Sequence, residues 1–358
     1  MERKFKILSI DGGGMRGVIP CRLLARLEND LRKREGYEVR LCDYFDLICG
    51  TSTGSILAIG LALGMTANEL LDFYERYGES IFPPDKRSWT KKFSNWLTGQ
   101  SFYERKVLRQ LLKEAYGKCT ADGDTRLGHA KTRLLVPAYD GESGKMYAFR
   151  TAHSEKWVND YQVPALAVAL ASSAAPMFFR PYSFVYAQKG TRERRVFKNM
   201  VDGSIVANNP SYIGIEEAVK VIGVPMRNIS LLSLGTGDVG FSVYLKKDKL
   251  APHFWADPIS SESTRLFNAL AAVQAKDVHE KIMLLQRGLE EEAAPRFDYM
   301  RIQHAFTKED FIELDDARNE SVLRMNIIAY QLYDQYGEDI YRMFLQERKT
   351  EFMPFYQP

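Results

Sequence analysis

Histidine and cysteine are both sparse in this chain: 5 and 4 of 358 residues. The cysteines, Cys21, Cys42, Cys49 and Cys119, have no disulfide spacing, and Cys42 and Cys49 lie on a passage that reads as interior. Such usage points to a reducing cytoplasm rather than a disulfide-stapled fold. No closely spaced Cys/His set and no H-E-x-x-H occurs, so neither zinc nor calcium has support, and we expect no metal. The longest apolar stretch, Val163 to Phe179, is broken by Pro164, Ser172, Ser173 and Pro176 and falls short of the roughly twenty residues that span a bilayer. Repeats, low-complexity tracts and Pro/Gly-rich linkers are also missing, and Met1 to Phe5 run into an apolar strand with no leader-like region between. The net charge of +3 is too small to argue for a nucleic-acid polymer as partner, and the clusters Arg192 to Arg195 and Lys246 to Lys249 read as solvated loops.

The chain does have core-forming residues, 45% hydrophobic against 27% charged, enough for one large core or a core with an appendage. Within it, Gly50-Thr51-Ser52-Thr53-Gly54 follows the apolar Phe45 to Cys49 and precedes the helical Ser55 to Leu63. A G-x-S-x-G between strand and helix is the setting of a nucleophile elbow, where a serine is held on a tight turn flanked by residues small enough for close backbone approach. A second glycine cluster, Asp11-Gly12-Gly13-Gly14-Met15-Arg16-Gly17, follows the strand-like Ile7 to Ile10 and precedes a helix with Leu23, Leu24, Leu27 and Leu31 on one face. Consecutive glycines expose consecutive N–H groups, a cradle for an oxyanion or another anion. The run matches neither G-x-G-x-x-G nor G-x-x-x-x-G-K-[ST]. A third motif, Met200-Val201-Asp202-Gly203-Ser204, precedes Asn208-Asn209-Pro210 and offers Asp202 as a base at a strand end.

In order, D-G-G-G-x-R-G, G-T-S-T-G and a late D-G resemble the signatures of the patatin-like phospholipase family. The matching stretches are Phe5 to about Leu63 and Pro164 to Leu234, including Ala171 to Phe179, while about the last hundred residues align with nothing by eye. The resemblance implies that Ser52 is the nucleophile, Asp202 its base in a dyad, and Gly12, Gly13 and Gly14 the oxyanion hole, supported by Asp11, Arg16, Gly17, Gly50, Thr51, Thr53, Gly54 and Gly203. The histidines offer an independent check. A hydrolase triad in the order Ser, Asp, His would take its histidine after Asp202. His253, His279 and His304 qualify by order, yet His253 is proline-flanked, His279 lies on a helical stretch (Ser261 to Leu289) and His304 on a strand-like run (Tyr299 to Phe306). None sits in a catalytic turn, which favours the dyad.

An aspartate near its ordinary pKa of about 3.9 is a weak base for serine, so the site must aim Asp202 or raise its pKa by burial. The expected reaction is ester hydrolysis through an acyl-enzyme, with no cofactor. The resemblance further implies a membrane phospholipid substrate reached from the cytoplasmic side, by peripheral contact at the inner membrane surface. Its bacterial branch of antiphage effectors implies a cyclic dinucleotide activator. One candidate contact is Trp89, Phe93, Trp96 and Leu97 at helical spacing, interleaved with Lys86, Arg87, Lys91 and Lys92; the same stripe equally fits a lid over the site or a core-facing helix. Rival readings are a carboxylesterase of small esters and a non-catalytic lipid- or nucleotide-sensing module.

Expected elements are strands at Lys6 to Ile10, Tyr44 to Cys49, Thr132 to Ala138, Lys145 to Arg150, Val196 to Val201 and Ile229 to Leu234. Helices are expected at Pro20 to Arg34, Thr53 to Leu63, Ala67 to Ile81, Glu104 to Tyr116 and Pro164 to Ala174. This alternation predicts an α/β fold with a mainly parallel central sheet flanked by helices in three layers. Residues 1–240 would form the catalytic core and residues 241–358 a mostly helical C-terminal extension packed on it, serving as a cap, a regulatory element or a homo-oligomer surface.

Overall fold

The computed structural model of the chain describes residues 3–84, 100–190, 193–239, 265–287 and 297–358. The apolar strand β1 (Phe5–Ile10) is buried at every position, as a central strand covered on both faces must be. It pairs in parallel with β2 (Leu47–Gly50) on one side and β7 (Ile229–Leu234) on the other. Beyond β2 lies β3 (Arg133–Asp140), also parallel, followed by the antiparallel pair β6 (Arg194–Val201) and β5 (Tyr182–Ala187); β4 (Lys145–Arg150) pairs back on β3. Beyond β7 lies β9 (Asp298–Ile302), parallel to it, so the described order is β5-β6-β3-β2-β1-β7-β9.

Side chains alternate across the pleat, and the two faces feed two cores. Leu8, Ile10, Ile48, Leu134, Val136, Leu232 and Leu234 meet a large helical layer: α1 (Val18–Glu35), α2 (Thr53–Ala62), α3 (Ala67–Ile81), α4 (Arg105–Gly117), α5 (Ala165–Ser172) and the C-terminal α9 (Asn319–Ile340). Ile7, Leu47, Cys49, Leu135, Ile229 and Leu231 face a smaller core, closed by α7 (Ser211–Glu216) and α8 (Arg265–Arg287). Between β6 and α7 lies the four-residue α6 (Ser204–Ala207). Helix α2 is buried on all sides, which is why it is apolar all round rather than amphipathic. Among the described residues no helix is long and apolar enough to cross a membrane.

The fold is the expected α/β sheet with helices on both faces. Two elements differ from the sequence reading. Strand β5 was not anticipated, although Tyr182, Phe184 and Tyr186 alternate with the exposed Ser183, Val185 and Ala187 in a period of two. The strand-like run Tyr299 to Phe306 is two strands: β9 joins the central sheet, and β10 (Ala305–Phe306) pairs with β8 (Asp238–Val239). A region read as mostly helical thus contributes an edge strand to the same sheet that holds β1.

Candidate active site

The loops after β1 and β2 leave the sheet side by side, in the crevice where parallel sheets hold ligands. At the end of β2 the chain reverses into α2 within two residues. The turn forces Ser52 to φ 55°, ψ −122°, a conformation costly for any residue with a side chain and one found where function requires it. Close approach explains the flanking Gly54, since a Cβ there would collide with the backbone carbonyls of Ile10 and Asp11. The elbow is also held from below. The Ser52 N–H donates to Ser172 Oγ (3.1 Å), which donates to the Pro137 carbonyl (2.7 Å), and the Ser55 hydroxyl donates to the Ser52 carbonyl (2.6 Å).

Asp202 follows β6 and reaches the same point from 150 residues away. Ser52 Oγ donates to Asp202 Oδ2 at 2.7 Å, and the Ser204 N–H donates to Oδ1 at 2.8 Å. The carboxyl is fully buried, faces only neutral donors, and is pushed up to about 6 by that burial, which outweighs the hydrogen bonds from Ser204 and Ser52. No described histidine bonds either residue. His153 joins Thr151 and Glu217, His279 meets the Tyr299 hydroxyl, His304 pairs with Asp310, and His129 accepts from the Arg126 N–H. His253 lies outside the described residues.

The glycine loop is fixed at its ends and open at its centre. Asp11 N–H donates to the Leu234 carbonyl, Gly12 N–H to the Asn208 carbonyl (3.1 Å), and Met15 N–H to the Leu314 carbonyl (2.7 Å). Gly14 sits at φ +56°, where a Cβ would also strike the Leu314 carbonyl, so no other residue fits. The N–H groups of Gly13 and Gly14 have no partner among the described residues. Of the three glycines read as oxyanion donors, Gly12 has its N–H committed to Asn208.

The supporting motif residues lie around this centre. Thr51 Oγ1 donates to the Ala207 carbonyl (2.6 Å), Thr53 Oγ1 meets the Tyr74 hydroxyl (2.5 Å), Gly17 packs on Thr53, and Gly203 on the Pro137 carbonyl. Gly50 packs on the Gly54 carbonyl, and Arg16 places its guanidinium over the Phe306 ring. Asp11 receives a bidentate clamp from Arg301 on β9, with Nη1 at 2.9 Å and Nη2 at 2.5 Å; Nη1 also donates to Ser233. Burial disfavours the Arg301 charge, but the Asp11 carboxylate outweighs it and holds the guanidinium above its ordinary value. Sequence reading missed Arg301 and Ser172. The only trace of Arg301 was an isolated cation in a strand-like run; Ser172 sat in a quoted motif with nothing to mark its partner. Trp89, Phe93, Trp96 and Leu97 lie outside the described residues.

Ser52 and the glycine loop open into a cavity of about 540 Å³. Its lining includes the apolar Ile56, Phe73, Ile81, Phe82, Phe178 and Phe179 and the polar Asp238, Lys276, His279 and Gln303. A volume of this order suits one ligand of lipid or drug size. Among the described residues no group of three or more His, Cys, Asp or Glu side chains could hold a metal ion.

A strained serine on a strand-to-helix elbow, a buried carboxylate on its hydroxyl and open glycine amides thus come together beside one cavity. The sequence model of the patatin-like phospholipases matches residues 8–213, and the chain belongs to that family. It is similar to a protein of Vibrio cholerae named cGAMP-activated phospholipase, at 30% identity over 93% of this chain and 91% of the relative. A second protein of that name, from Escherichia coli, is 29% identical over 92% of this chain and 88% of its own length. Patatin-like protein 2 of Oryza sativa is 29% identical over 92% of this chain and 84% of its own.

Proposed function

We propose that the protein hydrolyses fatty-acyl esters of membrane phospholipids with Ser52 and Asp202 as a dyad. The observation that carries this reading is the 2.7 Å hydrogen bond to a fully buried Asp202 from the Oγ of Ser52, which lines a largely apolar-walled cavity also carrying polar groups. Ser52 Oγ attacks the ester carbonyl carbon and passes its proton to Asp202. The oxyanion meets the N–H groups of Gly13 and Gly14. Collapse breaks the carbon–alkoxy bond, and the lysophospholipid alkoxide leaves with the proton from Asp202. Water, deprotonated by Asp202, then attacks the acyl-enzyme, releases the fatty acid and returns the proton to Ser52. Burial supports the base role, because a carboxylate raised to about 6 is better matched to proton transfer near neutral pH.

The names of the Vibrio and Escherichia relatives, and the nearly full-length match to each, support activation by a cyclic dinucleotide. The enzyme would then act on the membrane by peripheral contact from the cytoplasmic side. The test is fatty-acid release from phospholipid vesicles by wild type, Ser52→Ala and Asp202→Ala, each with and without cGAMP. Release that needs both residues and cGAMP is the expected result. Release without cGAMP would remove the activator; release only from short soluble esters would make this a carboxylesterase. An inert wild type under all conditions would end the hydrolase reading.

A further inference from the structure

The motif Asn208-Asn209-Pro210 is unused by the dyad, and its two asparagines behave differently. Asn209 is fully engaged: its Oδ1 accepts from the Ser211 N–H, its Nδ2 donates to the Ala275 carbonyl, and its N–H donates to Gln274 on α8. Asn208 is only 7% exposed, lines the catalytic cavity, and its carboxamide has no hydrogen-bond partner among the described residues. The carboxamide is not sealed in the core but open to that cavity, where a ligand can meet it. Its location is equally specific. A Cβ on Gly12 would lie 2.6 Å from Asn208 Oδ1 and 3.2 Å from Ser52 Cβ, so the carboxamide and the nucleophile flank the same backbone position. The Asn208 carbonyl meanwhile holds the Gly12 N–H at 3.1 Å, so the side chain is anchored to the glycine loop it faces. With Oδ1 against Gly12, Nδ2 is the free donor.

We infer that Asn208 is a substrate-contacting residue, its Nδ2 a third donor to the ester oxyanion beside the N–H groups of Gly13 and Gly14. The inference rests on the hydrolase reading above. It also accounts for the position of Gly12, whose N–H serves to fix Asn208 rather than the oxyanion. A structural role and a substrate-contacting role differ in what they predict for stability. The carboxamide makes no hydrogen bond among the described residues, so its removal deletes none there.

The test compares wild type, Asn208→Ala, Asn208→Ser and Asn208→Asp on p-nitrophenyl butyrate and on phospholipid vesicles with cGAMP present, with the melting temperature of each. Loss of one oxyanion donor should lower kcat for Asn208→Ala by about a hundredfold, with KM within about threefold and the melting temperature unchanged or higher. Asn208→Asp should fall below Asn208→Ala at pH 8, because a carboxylate repels the oxyanion, and Asn208→Ser should lie between Asn208→Ala and wild type. Wild-type kcat in Asn208→Ala, or an Asn208→Asp as active as wild type, would overturn the assignment. So would a rate loss matched by a fall in melting temperature in both Asn208→Ala and Asn208→Ser. If wild type turns over neither substrate, the hydrolase reading fails with it; an active wild type with indifferent variants removes Asn208 alone.

Discussion

Asp202 and Asp11 are both buried, one bonded to Ser52 and the other lining the cavity, yet they are surrounded oppositely. Among the described residues Asp202 meets only neutral donors, the Ser52 hydroxyl and Ser204, whereas Asp11 is clamped by the Arg301 guanidinium. Burial pushes both carboxyls up; at Asp11 the guanidinium pulls back. In the proposed dyad Asp202 takes and returns a proton, and its distance from cations suits that role, since a cation would hold it ionised and weaken it as a base. Asp11, which only ties the glycine loop to the sheet, is given a cation. On the proposed reading the same residue type is base in one place and anchor in the other, and the neighbour decides which.

The largest effect should come from removing the acid–nucleophile pair. Ser52→Ala and Asp202→Asn should each lower kcat by about 10⁴-fold or more, measured as ester turnover, with melting temperatures at or above wild type since Asp202→Asn relieves a buried carboxyl. A comparable loss of rate in Asp11→Asn with the fold intact would break the distinction between base and anchor. Next, Arg301→Met should destabilise the fold by about 3–5 kcal/mol in denaturant unfolding, because it leaves Asp11 buried without its cation. The double variant Asp11→Asn, Arg301→Met should recover much of that loss. An equal loss in single and double variants would mean that Arg301 acts by packing rather than charge.

The pH dependence sharpens the comparison further. With Asp202 raised to about 6, kcat/KM on a soluble ester should climb through an acid limb near pH 6 and level off above it. Stability has the opposite slope. Between its unfolded value near 3.9 and about 6, Asp202 binds its proton more tightly folded than unfolded, so its contribution declines as pH rises through that window, by roughly 3 kcal/mol in all. Asp202→Asn should remove that decline in denaturant titrations at successive pH values. The smallest effect is at the elbow's support. Tyr74→Phe removes the hydroxyl that meets Thr53 Oγ1 and should cost about 1 kcal/mol of stability, with turnover lowered less than tenfold.

The turns that carry Ser52 and the glycines were legible in the sequence because the backbone constraints they answer are local: a reversal from strand to helix within two residues, and a glycine loop after a buried strand. The α/β alternation was legible for the same reason, being a change of period along the chain. That the Gly12 N–H donates to the Asn208 carbonyl was not legible, because the two residues lie far apart in the chain.

What the sequence by itself determined is therefore the set of turns and the chemistry offered at each. Tertiary structure alone decided which offers meet: that β9 brings Arg301 to Asp11, that Ser172 carries the Ser52 amide, and that the Asn208 carboxamide has no hydrogen-bond partner among the described residues in the cavity that Ser52 also lines. Hydrogen bonds between residues 120 to 290 positions apart leave no periodic or local mark, since each partner is compatible with many others until the sheet order fixes who stands opposite.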